Sequence, residues 1–430
     1  MAQLIINDFL SIKHAEIELR RFTVFIGPQA QGKSLILKLI HFFESILSKG
    51  IVDVVTGGIT LAGLRKESLE RFESYFPKYT WGTAGFSVKF VDGDFEISVA
   101  RVGGRKNNPA VLQFSESVQE TLKTTHATYK EKLEGLETSA RSRVMLRRNL
   151  LPEVLAEVPT LAGFLAEPVF IPASRSFFAN IERNIFTLIS SKFELDLLMA
   201  EFGTMLESTR RNMLIFDSVG IRRSGKRRGQ ELRRSNWTHI ISGDYLFDGE
   251  QESIEKDGRI VKISNSSSGQ QEAIPLLLVL DFFSGEDAYS FSRPRGTRGA
   301  SFFVEEPEAH LFPKAQKAIA NILTEAMNRH EANRIVFTTH SPYMLTAINN
   351  LHLAGRLYES SSANQVKVLE KIASRDQCIA PGELAAYKVD GGKVLSIVDH
   401  KTGLVNGMLI DEVSAEFAED FEKLLSLSLL

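Results

Sequence analysis

From Gln3 to Ile26 apolar and polar positions alternate, and the run closes on Phe22-Thr23-Val24-Phe25-Ile26, the pattern of strands leading into a buried central one. A glycine-bounded loop follows. From there Leu35, Ile36, Leu39, Ile40, Phe43, Ile46 and Leu47 recur at helical spacing, so strand, loop and helix come in the order that a phosphate site requires. Between Gly85 and Phe114 short alternating runs, broken by Asp92-Gly93-Asp94 and Gly103-Gly104, predict an antiparallel lobe. Residues 115–157 are rich in Lys, Glu, Leu and Arg, with Gly135 their one glycine, and predict one or two inserted helices, too short for an arm of sustained heptads. Val169-Phe170-Ile171-Pro172 predicts a return to strand, and a helical stretch is expected through about Arg210.

With 430 residues and 43% hydrophobic content the chain can bury a large core, and length alone would favour two or three domains. Lys+Arg (51) nearly balances Asp+Glu (53), so no overall field drives it onto nucleic acid or a membrane, and any polyanion contact must be local. The single cysteine, Cys378, excludes an intramolecular disulfide framework and a cysteine-based zinc site, which fits a reducing, cytoplasmic setting. The N-terminus lacks a basic region followed by a long apolar run. The longest apolar stretch, Ile274 to Phe283, contains Asp281 and is too short to span a bilayer, so no membrane contact is expected without a partner.

Gly27-Pro28-Gln29-Ala30-Gln31-Gly32-Lys33-Ser34 matches the phosphate-loop pattern G-x-x-x-x-G-K-[ST] in full, between the predicted strand and helix. Such glycines let backbone N–H groups wrap phosphates, and the helix N-terminus adds positive potential. Lys33 would reach the outer phosphates and Ser34 would ligate magnesium; Gly27, Gln29, Gly32 and Leu35 complete the expected contacts. Phe302-Phe303-Val304-Glu305-Glu306-Pro307-Glu308 is an apolar strand ending in carboxylates, with Glu305 expected to hold the metal and Glu306 to polarise an attacking water. A third segment, Asn265-Ser266-Ser267-Ser268-Gly269-Gln270-Gln271-Glu272, precedes a helical apolar run; alone it would read as a capped serine-rich loop. A fourth, Arg334-Ile335-Val336-Phe337-Thr338-Thr339-His340-Ser341-Pro342, is a buried strand ending in a histidine.

In the order of these four segments the chain resembles the ABC ATPases, whose signature loop reads Leu-Ser-Gly-Gly-Gln at a helix start. Ser267, Gly269 and Gln270 match that loop, whereas Ser266 and Ser268 depart from it. The resemblance implies ATP and Mg2+ as ligands, with Lys33, Glu306 and His340 as catalytic groups. In that family the loop closes on the gamma phosphate held by the opposite subunit, so Ser267, Ser268, Gly269 and Gln270 would complete the site of a second copy. The wording Glu305-Glu306-Pro307-Glu308-Ala309-His310-Leu311-Phe312-Pro313, with Thr339-His340-Ser341-Pro342 and Phe170-Ile171-Pro172-Ala173-Ser174-Arg175-Ser176, is similar to the OLD and RecF-like branch, near the SMC and DNA-repair ATPases. By that likeness Glu308 to Leu311 would form a dimer-facing loop, and Ser174-Arg175 would stand near the place of a magnesium-sensing glutamine. Leu10 occupies a position where related repair ATPases often have a phosphate-touching basic residue, for which Lys13 would substitute.

The implied fold is α/β, an ABC-ATPase head with a P-loop central sheet, an antiparallel β lobe and a helical insertion. Its composite head would span 1–350, with the insertion at about 115–157 and a helical and basic-loop region at about 177–260, and 351–430 would pack on the head as a C-terminal extension. OLD proteins carry a metal-dependent TOPRIM nuclease after the ATPase. Here Asp390, Asp399, Asp411 and Glu412 are scattered over a short tail, and no nuclease is expected. Residues 222–234 hold seven cations, Arg222, Arg223, Lys226, Arg227, Arg228, Arg233 and Arg234, with one acid. Such a run is either a solvated loop or a contact to a nucleic-acid backbone. The resemblance favours a homodimer, or a multiple of dimers, that regulates a separate nuclease or toxin effector in bacterial anti-phage defence. The alternatives are a DNA-repair ATPase that binds DNA directly and, disfavoured by the insertion and the Glu-Pro-Glu-Ala-His wording, a transporter subunit.

Overall fold

The computed structural model describes residues 2–105, 108–135, 150–151, 153–155, 157–158, 166–180, 195–218, 237–285, 299–399, 401–406 and 419–420. Phe22–Ile26 is a strand buried at all five positions, and its residues divide between two cores with period two. Phe22, Val24 and Ile26 enter one core and Phe25 the other. Ala300–Glu305 and Arg334–Thr339 divide in the same way, Phe303 and Val336 facing opposite to Phe302, Val304, Ile335 and Phe337. A sheet apolar on both faces must be covered on both, which places helices on each side of it.

In chain order the strands are β1 Gln3–Phe9, β2 Ile12–Glu18, β3 Phe22–Ile26, β4 Phe86–Asp92, β5 Phe95–Arg101, β6 Val111–Phe114, β7 Glu167–Ile171, β8 Asp244–Phe247, β9 Glu252–Lys256, β10 Arg259–Lys262, β11 Ala300–Glu305, β12 Arg334–Thr339, β13 Leu384–Asp390 and β14 Lys393–Ser396. The helices are α1 Lys33–Ser45, continued through a wider turn at Ile46–Gly50 into α2 Ile51–Val55, then α3 Leu61–Tyr75, α4 Glu116–Glu134, α5 Leu197–Ser218, α6 Ser268–Ser284, α7 Pro313–Asn328, α8 Pro342–Ser360 and α9 Ala363–Leu369. Eleven strands form one mixed sheet in the order β6-β5-β4-β1-β2-β14-β13-β3-β12-β11-β7. Its β13-β3-β12-β11-β7 part is parallel, and the β6-β5-β4-β1-β2 part is antiparallel. The fold is therefore α/β, with the antiparallel lobe continuous with the central sheet.

Two elements differ from the sequence reading. The stretch beyond residue 350, expected to pack on the head, supplies β13, which lies inside the sheet next to β3. Its run Leu384-Ala385-Ala386-Tyr387 is apolar throughout, as a strand covered on both faces must be, and so shows no alternation to mark it. Within the expected helical and basic-loop region, β8, β9 and β10 make a separate antiparallel sheet. Its second hairpin turns on Asp257 and Gly258, both at positive φ (51° and 74°), the geometry a two-residue primed turn requires. Of the expected insertion, α4 runs from the Ser115 cap, whose hydroxyl accepts the Val118 N–H, to Glu134.

Candidate active site

Two features of the phosphate loop depend on glycine. Gly27 has φ 153°, and a Cβ there would lie 2.1 Å from the Val389 carbonyl oxygen on β13. Gly32 has φ 101°, and a Cβ there would lie 2.6 Å from the Ser11 hydroxyl in the β1–β2 turn. The loop is thus walled by one neighbour from each end of the chain. Gln31 adds a tie, its side-chain oxygen accepting the Gly391 N–H at 3.0 Å. Gly32 caps α1 without a side-chain hydrogen bond, so the first-turn amides have no competing side chain to satisfy them.

Lys33, buried at the start of α1, donates to the carbonyls of Gly27 (2.8 Å) and Pro28 (2.7 Å) and stands 3.4 Å from His340 Nδ1. Burial lowers its pKa, and the nearby carboxylates of Glu306 and Glu308 oppose that shift. Parallel register sets Glu305 beside Thr338, so β11 and β12 deliver the two acidic residues and the histidine at one end of the sheet. Glu306 turns away from the strand at φ 42°, held by its N–H to Thr338 O at 3.1 Å. Its Oε1 lies 3.1 Å from His340 Nε2. Glu305 is buried, and its Oε2 accepts the Ala173 N–H at 3.2 Å.

A cleft of about 350 Å³ is lined by Ser11, residues 29–35, Glu306 and His340. It gathers Gln29, Gly32, Lys33, Ser34 and Leu35 with the expected catalytic groups Glu306 and His340; Gly27 and Glu305 do not line it. Ser11, and not Lys13 or Leu10, is the β1–β2 residue facing it. A larger cavity of about 410 Å³, bounded by Phe178, Asp248, Glu252 and Lys262, shares none of these residues. Of the acids that line it, Asp248 accepts the N–H groups of Glu250 and Gln251, and Glu252 is held by Arg210 and Tyr245.

Ser267, Ser268, Gly269 and Gln270 lie outside the cleft formed by their own chain. Ser267 caps α6, and Gln270 completes the capping box while donating to Ile241 O at 2.6 Å. Gly269 packs against the loop after β11, where a Cβ would come within 2.7 Å of His310 O. Glu308 does not line the cleft: it is buried and turns back to accept from the Thr339 hydroxyl (2.6 Å) and the His340 N–H (2.8 Å), while His310, in the same segment expected to face a second copy, is exposed. Arg175 does not face the cleft either: fully buried, it pairs with Glu272 and donates to the backbone carbonyls of Glu305 and Glu306. Its neighbour Ser174 reaches no phosphate-loop residue by hydrogen bond among the described residues. Glu272 and Ser11 carried no role in the sequence reading, since their partners are remote along the chain. The seven-cation run at 222–234 lies outside the described residues.

Among the described residues no helix is long and apolar enough to cross a membrane. No curated protein matches the chain. Among solved structures it is similar to an SMC head domain from Thermotoga maritima, at 12% identity and a TM-score of 0.36, over 92% of this chain and 97% of that one. It is also similar to the structure of the recombination mediator protein RecF-ATPrS in the RecFOR pathway, at 12% identity and a TM-score of 0.33, over 92% of this chain and 97% of that one. Residues 22–346 match the family described as "AAA domain, putative AbiEii toxin, Type IV TA system", from the strand before the phosphate loop to the helix after His340. That match spans well over half of the sequence, and the chain belongs to this AAA-domain family.

Proposed function

We propose that the protein is an ATP hydrolase whose two sites are completed when two copies meet face to face. The observation that carries this reading is a separation: Lys33, Ser34, Glu306 and His340 share one cleft, while the capped loop Ser267–Gln270 lies outside it. Positive-end amides and small hydroxyls at the start of α6 suit a phosphate presented by another subunit. In each site Lys33 would exchange its loop carbonyls for phosphate oxygens, and Glu306, 3.1 Å from His340, would take the proton of the attacking water. His340 would orient that water, and the strained backbone at Glu306 fits a residue held in place for chemistry. Ser34 and Glu305 are hard oxygen donors that, together with substrate phosphates, fit magnesium, which when bound would offset charge on the phosphates. ATP would then act as a dimerisation ligand, and near-complete reversal of the open and closed populations would need about 5.5 kcal/mol of preference for the closed state.

The output we favour is control of a separate effector, a nuclease or toxin, by the nucleotide state of the pair; the family description names a toxin system. The seven cations at 222–234 favour a second reading, direct sequence-independent contact with nucleic acid. Mixing subunits tests the shared site. Lys33→Ala and Ser267→Arg chains, each inactive alone, should regain hydrolysis when combined, because a mixed dimer keeps one site with both halves intact. Mixed dimers that form and stay inactive would rule the arrangement out.

A further inference from the structure

Arg175 has no exposed surface, and its hydrogen bonds converge on a few backbone positions. Its Nε donates to Glu272 O at 3.0 Å, Nη1 to Pro172 O at 2.8 Å and Glu305 O at 2.7 Å, and Nη2 to Glu306 O at 3.1 Å. Glu272 answers with its carboxylate, accepting the N–H groups of Arg175 (3.1 Å) and Ser176 (3.2 Å). Glu272 is five residues past the Ser267 cap, near the start of α6. One guanidinium therefore joins the end of β7, the backbone of Glu305 and Glu306 at the end of β11 and the base of the loop that would serve the opposite site.

A second contact fixes the same pair of segments. Gly269 lies against His310 O so closely that a Cβ would sit 2.7 Å away, and Leu311 Cδ2 would be 3.2 Å away on the same side. The start of α6 and the segment 305–311 are thus held at one end by charge-assisted hydrogen bonds and at the other by steric contact. A planar guanidinium with its donors already directed suits such a joint better than a flexible ammonium would. Two segments fixed at two points cannot change position independently, and a joint of this kind carries free energy between sites.

We propose that Arg175 is a positioning residue that makes the acidic end of β11 and the Ser267 loop move as one body. Each site then reports its state to the site across the dimer: when Glu305 and Glu306 settle around bound nucleotide, the loop offered to the partner's nucleotide shifts with them. This inference rests on the two-copy ATPase reading above.

The test uses the full chain with Arg175→Lys, Glu272→Gln and, to keep the core filled without charge, the paired Arg175→Met/Glu272→Leu, since apolar replacement of both members of a buried pair is often tolerated. Steady-state hydrolysis, the Hill coefficient for ATP, binding of a fluorescent ATP analogue and amide hydrogen exchange over 266–273 and 305–311 are measured on each. Expected are a kcat lower by about a hundredfold, as for a misplaced catalytic group, little change in KM or analogue affinity, a Hill coefficient reduced towards one, and faster exchange in both segments together. A folded paired variant with wild-type kcat and Hill coefficient overturns the proposal, as does faster exchange in only one segment. If the wild type neither binds nor hydrolyses ATP, the ATPase reading itself has failed. The exchange data, taken without nucleotide, then decide the joint by themselves.

Discussion

Glu308 and Thr339 are joined by a 2.6 Å hydrogen bond in which the threonine hydroxyl donates to Oε1, and the same oxygen accepts the His340 N–H at 2.8 Å. The other oxygen, Oε2, is buried without a hydrogen-bond partner among the described residues. Burial therefore raises the Glu308 pKa, opposed by the bonds from Thr339 and His340 and reinforced by the charge on Glu306. A carboxyl whose folded value lies above its unfolded one contributes stability that is fully present below the ordinary carboxylate range and is lost as pH rises through the raised value. Glu308→Gln keeps the acceptor and removes the charge, so it should melt above the wild type at neutral pH and lose that advantage in acid. Glu308→Ala strips the acceptor from two buried donors and should cost about 1–3 kcal/mol. A Glu308→Gln melting curve that tracks the wild type across pH would contradict the assignment.

Lys33 and Glu306 line the same cleft, and in the proposed ATPase they would have different tasks, one holding phosphate in the ground state and the other acting on water. Glu306→Gln should bind ATP, accumulate as a dimer and hydrolyse it about 10²–10⁴-fold more slowly, the usual span for losing a general base. Lys33→Ala should lose tight binding. Calorimetric titration alongside single-turnover hydrolysis separates the two, and full-rate turnover by Glu306→Gln would remove that residue from the mechanism.

The Gly27 contact gives a sharper test of the loop's surroundings than deletion of any side chain. Alanine at this position would need to place a Cβ 2.1 Å from Val389 O, at a φ that side chains rarely adopt. Since the obstacle is backbone inside the sheet, relaxation must move the loop. Gly27→Ala should therefore abolish nucleotide binding, with a stability loss of about 1–3 kcal/mol from overpacking. Retained affinity would show that the loop can shift without consequence.

How much of this was legible in sequence depended on range. The phosphate loop, the carboxylates after Phe302-Phe303-Val304 and the histidine after Thr338-Thr339 each sit at a strand end, so local pattern sufficed to find them. The three-stranded sheet carried a usable signal in Asp257-Gly258, flanked by Ile254 and Ile260, but the neighbouring basic run drew the region toward loop. Arg175 and Glu272 are 97 residues apart and Glu308 and Thr339 are 31 apart, joined only by the fold. A buried arginine and a buried glutamate look like surface residues in a sequence, because composition records charge and not who compensates it. The inward turn of Glu308 was hidden for the same reason: the chain turns sharply at Glu306 and returns the next carboxylate to Thr339 on β12.

The last prediction concerns the C-terminal strand, whose place in the sheet makes the tail part of the core. β13 pairs in parallel with β3 over five residues, Leu384↔Phe22 to Lys388↔Ile26, and closes antiparallel with β14 on its other side. It sends Leu384 and Ala386 into one core and Ala385, Tyr387 and Val389 into the other. Tyr387 adds a long-range clamp, its hydroxyl donating to Glu18 O at 2.9 Å and accepting the Glu18 N–H at 2.9 Å. Losing a single large core side chain costs about 2–5 kcal/mol, against a total stability of about 5–15 kcal/mol. A chain ended after Glu383 should therefore fail to fold, since it loses several such side chains and leaves β3 without a neighbour on one side. Gln31→Leu, which cuts only the bond to Gly391 N, should keep the fold and weaken nucleotide binding by loosening the loop. Circular dichroism and thermal melting of the two variants, with nucleotide titration of the second, make the comparison. A shortened chain that melts cooperatively near the wild-type temperature would show that β13 is an ornament of the sheet and not its centre.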